Sequence, residues 1–430
     1  MRISGAKVLI THTQTQSIMG STVVALELAT YLKEMGASVE VYAGAVGHPG
    51  NDLFIERGIP VECDINHWYS LGDYDLIWVQ SEVLPLSIID QLVDLSDDDK
   101  VPAFVFNHMT ALDFAADEHP YIYLLEERLA AKVLFVSAES FDKLTPFYRR
   151  VPVHTAIFPN PAPPAFGRLP ERSHERLTKV LVVSNHVPPE VWEACRLLRE
   201  RNIDVKVFGE QGEYSLVTPE VLADVDAVVT IGKTVQYCLT AGIPVYVYDH
   251  FGGFGYLNEG NLETAARNNY SGRGGSRFTA ENIAESMVAG YASAKSFVGR
   301  NRDRFIDRYA LDKVLPSVLS DVEPKRLTAL ERPYALSVKS AMRFVHRYYE
   351  VWASMNELVP DRNRLRAELD AERDVSADLS RRLAEDEVTV SRLSSRLHDI
   401  EESESFKIGK ALMLVPHMVK DLAGRIRFHR

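Results

Sequence analysis

The sequence predicts an α/β protein of two doubly wound domains in tandem, followed by a helical extension. Three observations predict it. Short β-rich runs alternate with amphipathic helical runs; a proline-dense stretch interrupts the alternation once; and from Thr279 onward the pattern turns wholly helical. At 430 residues the chain has room for two ordinary domains of roughly 100–200 residues and an extension.

In the first half, residues 7–13 (KVLITHT) read as a strand, followed by a turn through Gly20, a helix over 21–35 and the strand SVEVYAG. Strand-like runs recur at 75–80, 101–108, 132–137 and 154–160. Five prolines then fall between Pro159 and Pro170, too many for a helix or a central strand, so this stretch reads as a linker. The alternation resumes at 179–187 and runs through helix 189–201, strand DVKVFG, strand 226–232, helix 233–240 and strand 244–249. Two Rossmann-like units joined this way face a cleft, and ligands of such sheets bind beyond the C-terminal strand ends. The domain plan is therefore a first domain over 1–158, a linker over 159–178, a second domain over 179–330, a helical and coiled-coil extension over 331–402 and a tail over 403–430.

Composition excludes several classes. A net charge of −12 argues against nucleic acid as a partner, since phosphate binding needs a positive surface. With 46% hydrophobic and 25% charged residues the chain reads as soluble, and no stretch of about 20 apolar residues could span a bilayer. Cys63, Cys195 and Cys238 lack the paired spacing of a zinc site or a disulfide framework, which fits a reducing compartment. The opening MRISGAKVLITHT has no signal-peptide core, so a cytoplasmic location is expected.

The chemistry concentrates between Asp226 and Asn261. A strand ending in Ile231-Gly232, followed by Lys233-Thr234 at a helix start, offers free amide groups, a helix dipole and an ammonium to an anion, which suits a diphosphate. An ATPase P-loop is excluded because the upstream glycine that Walker A requires ahead of Gly232-Lys233-Thr234 is absent. The following AGIPVYVYD, the GGFG turn with Gly252 and Gly253, the segment NNYSGRGG and the early Gly20-Ser21 turn together resemble the GT-B glycosyltransferases, above all those that build bacterial cell-surface polysaccharides. The resemblance covers roughly residues 5 to 320. The retaining family-four branch carries a Glu-x7-Glu pair ahead of its Gly-x-Pro-Val strand; here Val229 and Tyr237 occupy those places.

The resemblance implies a nucleotide-sugar donor on the second domain, held by Gly20, Ser21, Ser184, Asn185, His186, Gly232, Lys233, Thr234, Gly252, Gly253, Glu259 and Arg273. Glu259 or Glu263 could bond the ribose. His108, at the end of strand VFNH, would contact the sugar or move a proton, with Asp113 as the nearest downstream carboxylate to orient it or act as base. No metal or other cofactor is expected. Asp73 and Asp75 spell Asp-x-Asp but precede their strand, and they, like Asp97, Asp98 and Asp99, read as turn residues.

Leu369, Ser376, Leu383, Val390 and Leu397 occupy one seam position of a heptad, and Leu365, Glu372, Leu379, Asp386, Leu393 and Ile400 the other. This is a coiled-coil pattern and implies a homo-oligomer. In the tail, Ile408, Leu412, Val415, Val419, Leu422 and Ile426 share a helical face amid Lys and Arg, with Pro416 as a break, the composition of an interfacial helix drawn to anionic lipid. The expected activity is hexosyl transfer to a cell-surface glycan or lipid-linked acceptor at the inner face of the membrane. A sugar-nucleotide epimerase of the same fold and an inactive coiled-coil scaffold are the alternatives.

Overall fold

The structure, a computed structural model, describes residues 1–96, 99–112, 115, 122–170, 174–210, 212–410 and 412. It forms two compact units, Met1–Ala353 and Ser354–Arg430. The first unit holds two sheets. Strands β1 (Lys7–His12), β2 (Ser38–Ala43), β3 (Val61–Glu62), β4 (Leu76–Gln80), β5 (Ala103–His108), β6 (Ala130–Phe135) and β7 (Thr155–Ile157) pair in the order β3-β2-β1-β4-β5-β6-β7, all parallel. Strands β8 (Lys179–Val183), β9 (Asp204–Phe208), β10 (Ala227–Thr230), β11 (Val245–Asp249) and β12 (Gly252–Tyr256) pair in the order β12-β11-β10-β8-β9, with only β12 antiparallel.

Helices cover both faces of each sheet, which is why the strands read as unbroken apolar runs. On the first sheet Val8, Ile10, Leu76 and Trp78 join one core layer, while Leu9, Ile77 and Val79 join the other. The second sheet has its own two layers. Strand order reverses between β1 and β4 and again between β8 and β10. At such switch points the connections diverge to opposite faces and leave a crevice at the C-terminal strand ends.

Two parts of the sequence plan need correction. Residues 252–255 are not a turn but most of β12, whose Gly253 has no room for a side chain: a Cβ there would lie 2.0 Å from the Val247 carbonyl oxygen. Nor does the second domain own everything up to 330. After the helices Ala280–Arg300 and Arg302–Tyr309, the chain crosses back beside the linker, where Leu311 N donates to Ala162 O at 2.8 Å. Leu311, Leu315, Val318, Leu319 and Val322 then pack into the first sheet's core. The long helix Arg332–Glu402 starts on the opposite layer of that sheet, burying Ala335, Val338, Met342, Val345, Tyr349 and Ala353. A sequence pattern shows that a helix is amphipathic but not which sheet its apolar face meets.

In the second unit the heptad residues Leu365, Leu369, Leu379, Leu383, Val390, Leu393, Leu397 and Ile400 are exposed on the same continuous helix. Ile408 and Leu412 are also exposed, and Val415, Pro416, Val419, Leu422 and Ile426 lie outside the described residues. No described helix is long and apolar enough to cross a membrane.

His12 ends β1 at the first switch point, fully enclosed, with Thr22 Oγ1 and Gln80 Nε2 each 3.5 Å from a ring nitrogen. Burial pushes its imidazole down to about 3. A His that stays neutral when folded but protonates near 6.5 when unfolded contributes stability in full above that pH and loses it as pH falls toward the folded value. Between pH 6 and 5, urea-derived stability is expected to fall by up to about 1.4 kcal/mol per pH unit from this group. His12→Asn should remove one proton of uptake from that slope; an unchanged slope would show that the folded His12 takes up its proton as readily as the unfolded one.

Candidate functional site

A cavity of about 430 Å³ lies between the C-terminal strand ends of the two sheets. From the second domain it is walled by Val183 to His186 from the end of β8, Phe208 and Gly209 from the end of β9, Thr230 to Thr234 from the end of β10, and Asp249 and His250 at the end of β11. From the first domain come Ile18 to Ser21 and Val23 at the start of the helix Gly20–Glu34, with Met109 and Thr110 just past β5. The floor is therefore the second switch point, where Thr230 Oγ1 donates to Val183 O at 2.9 Å and ties β10 to β8.

Two helices begin at this cavity. For both Gly20–Glu34 and Lys233–Ala241 no side chain caps the first turn and no acidic residue lies within it. Helix N-termini carry amides without intrahelical partners and the positive end of the dipole, so each can receive an anion. The second is preceded by Gly232 at φ 59°, ψ −133°, a conformation only glycine adopts readily, which turns the chain from β10 directly into the helix. Two Rossmann-like domains thus oppose their strand ends across one cleft. The fold is GT-B.

No protein-family model and no curated protein sequence matches the chain. Among solved structures it is similar to a glycosyltransferase from Rickettsia africae ESF-5, at 12% identity and a TM-score of 0.48 over 74% of this chain and 98% of that one. It is also similar to the calicheamicin glycosyltransferase (13% identity, TM-score 0.42, 75% of this chain and 100% of that one). A UDP-N-acetylglucosamine 2-epimerase is similar at 13% identity and a TM-score of 0.37, over 68% of this chain and 91% of that one.

Within the cleft the structure gathers Gly20, Ser21, Ser184, Asn185, His186, Gly232, Lys233 and Thr234 around one cavity. Lys233, however, is already engaged. Its ammonium is 2.6 Å from Glu27 Oε2, on the first-domain helix, and donates to Pro161 O at 3.0 Å, while Tyr237 OH donates to the same carboxylate. Burial pushes the Glu27 carboxyl up and the Lys233 ammonium down, each opposed by the other's charge. The residue expected to hold phosphate instead ties the two domains together.

Gly252, Gly253, Glu259 and Arg273 lie outside the cavity lining. The glycines of β12 and those near Arg273 serve each other: Gly253 N donates to Ser276 O at 2.9 Å, Ser276 N returns a bond to Gly253 O at 2.8 Å, and a Cβ on Gly272 would lie 2.3 Å from Gly252 O. Arg273 Nε donates to Glu139 Oε1 at 2.9 Å, an ion pair reaching the first domain. Glu259 accepts from Asn301 Nδ2 at 3.1 Å, and Glu263 is held by Arg304 and Arg308, so neither is turned toward a ribose in the cleft.

His108 sits one residue behind the cleft wall formed by Met109 and Thr110. It is buried, with Nε2 3.1 Å from Glu126 Oε1 and 3.0 Å from Tyr148 OH. A ring so placed does not touch a ligand in the cavity, which corrects its expected contact with sugar; Asp113 lies outside the described residues. Sequence reasoning missed Asp249. It is buried at the cavity edge, accepts from Ser184 Oγ at 3.1 Å and meets His250 Nδ1 at 3.1 Å. A charge closing the apolar run VYVY, at the C-terminal end of a parallel strand, was the available signal.

Proposed function

We propose that the chain is a glycosyltransferase that holds a nucleoside-diphosphate sugar on its second domain and transfers a hexosyl group, within the cleft, to an acceptor on its first. The observation that supports this most directly is the convergence of two uncapped helix N-termini, at Gly20–Ser21 and Gly232–Thr234, on one cavity at the strand ends. Such amides stabilise a diphosphate, and they stabilise it further as negative charge grows on the departing nucleoside diphosphate. Asp249, oriented by Ser184 and His250, accepts a hydroxyl of the donor. The nucleotide sugar is substrate, and this reading requires no cofactor.

The test is calorimetry with UDP-, GDP- and dTDP-sugars, followed by incubation of the tightest with membrane lipid extract. Label transferred to lipid or glycan supports the proposal. Interconversion of free nucleotide sugars would make the protein an epimerase, and absence of nucleotide binding would leave a scaffold. Gly232→Ala places a side chain at a backbone angle costing about 1–3 kcal/mol and shifts the amides, so nucleoside-diphosphate affinity should fall roughly tenfold or more. Wild-type affinity in a folded Gly232→Ala protein would remove this turn from the site.

We further propose that the exposed heptad residues of the second unit pair with those of a second copy, since an apolar seam of this length is buried only against another helix. In this reading the basic tail over 403–430 holds the assembly on anionic lipid at the inner membrane face, where polysaccharide acceptors are lipid-linked.

A further inference from the structure

Glu82, His108 and Glu126 lie together in the first domain, away from the cavity lining, and each offers a donor atom within 4.8 Å of the other two. Three different elements supply them. Glu82 follows β4, His108 ends β5, and Glu126 lies on the helix Tyr123–Leu129. They are 3%, 2% and 0% exposed, so water does not compensate their charge. Isolated buried carboxylates cost several kcal/mol each to desolvate, and are kept only where a proton, a cation or several donors meet them.

Glu82 Oε2 accepts from Ile122 N at 3.2 Å. Among the described residues no Lys or Arg comes within ion-pair distance of Glu126, whose Oε1 meets His108 Nε2 at 3.1 Å and whose buried Oε2 has no hydrogen-bond partner. A divalent cation held by the three groups would meet that oxygen.

We propose that Glu82, His108 and Glu126 bind a divalent transition-metal ion of the zinc class. The donor set favours that class: an imidazole nitrogen with carboxylate oxygens suits zinc and its neighbours, whereas magnesium takes oxygen ligands and retains most of its water. Donors at about 2.0–2.1 Å from a tetrahedral ion lie roughly 3.4 Å apart, near the spacing His108 and Glu126 already have. Tyr148 OH, 3.0 Å from the same ring nitrogen, stands beside the ligand atoms. The ion would clamp the ends of β4 and β5 to the helix that follows, directly behind Met109 and Thr110 in the cleft wall. It takes no part in the transfer step, and the site does not depend on the transferase reading.

The test uses the full chain, stripped with a chelator and then titrated calorimetrically with Zn2+ and, separately, Mg2+, with Co2+ absorption as a report of ligand geometry. One equivalent of Zn2+ bound in preference to Mg2+, a Co2+ spectrum of low coordination number and a rise in melting temperature on metal addition are expected. Glu126→Gln keeps the side-chain volume and should weaken Zn2+ binding by at least about tenfold; Glu82→Gln should do the same. No stoichiometric Zn2+ binding to the stripped wild-type chain overturns the proposal. Wild-type affinity in both folded variants overturns it equally, by placing the ion elsewhere.

Discussion

A chain ending at Leu330 is expected not to form a stable first domain, whereas one ending at Leu358 should fold and melt cooperatively. The reason is the origin of the core. Val338, Met342 and Val345 are each at most 5% exposed beneath the first sheet, and Tyr349 at 6% extends the same face. Fully burying a Val or Met side chain stabilises by about 1.5–3 kcal/mol, so the first three alone contribute roughly 5–9 kcal/mol, comparable to the whole stability of an ordinary domain. Polar contacts would go as well. Gln16 Nε2 donates to Ala353 O at 3.0 Å, and Lys339 pairs with Asp90 at 2.5 Å. Circular-dichroism melts of residues 1–330 and 1–358 give the comparison, and a 1–330 chain melting within a few degrees of the longer one would refute this account of the core. Light scattering on the same samples bears on the coiled coil: the full chain should be oligomeric and residues 1–358 monomeric.

Lys233→Met is expected to destabilise the protein by about 3–5 kcal/mol, because it strands the Glu27 carboxylate in the buried junction between the domains. Their side chains are 6% and 16% exposed, so solvent offers Glu27 little relief. The double variant Glu27→Leu with Lys233→Met replaces the pair by apolar groups and should recover most of that loss, since a buried ion pair and a packed apolar contact are often of similar stability. A double-mutant cycle by urea unfolding measures the coupling. If Lys233→Met alone changes stability by less than about 0.5 kcal/mol, the junction pair is not maintained in solution. The sequence reading of Lys233, an ammonium offered to a diphosphate, points the reverse way: it ties the substitution to nucleotide affinity rather than to stability.

That reversal shows what could be read and what could not. The Gly232-Lys233-Thr234 turn was legible because a strand, a glycine and a helix start in succession make an amide-lined corner by local geometry. The same locality made Gly20 and Ser21 legible, and all five residues meet at the cavity. The side chain of Lys233 was not legible in this way. Its ammonium can swing toward the cleft or toward the domain junction, and Glu27, which decides between them, lies on another domain. The glycines of 252–255 and 272–275 were misread for a related reason: a phosphate and another backbone both demand the absence of a side chain, and here Gly253 and Ser276 pair with each other.

The sequence by itself determined the two α/β units, the proline-rich crossing between them, the long helix and the turns at which the strand ends become helix starts. All of these depend on periodicity and backbone propensity over a few residues, which are written locally. Only the tertiary structure decided that residues 311–353 return to the first sheet, that Lys233 and Arg273 join the domains, that His108 lies behind the cleft wall with Glu82 and Glu126, and that Asp249 reaches its edge. A buried charge or an apolar face must find a partner, and which partner it finds is set by packing between segments far apart in the chain.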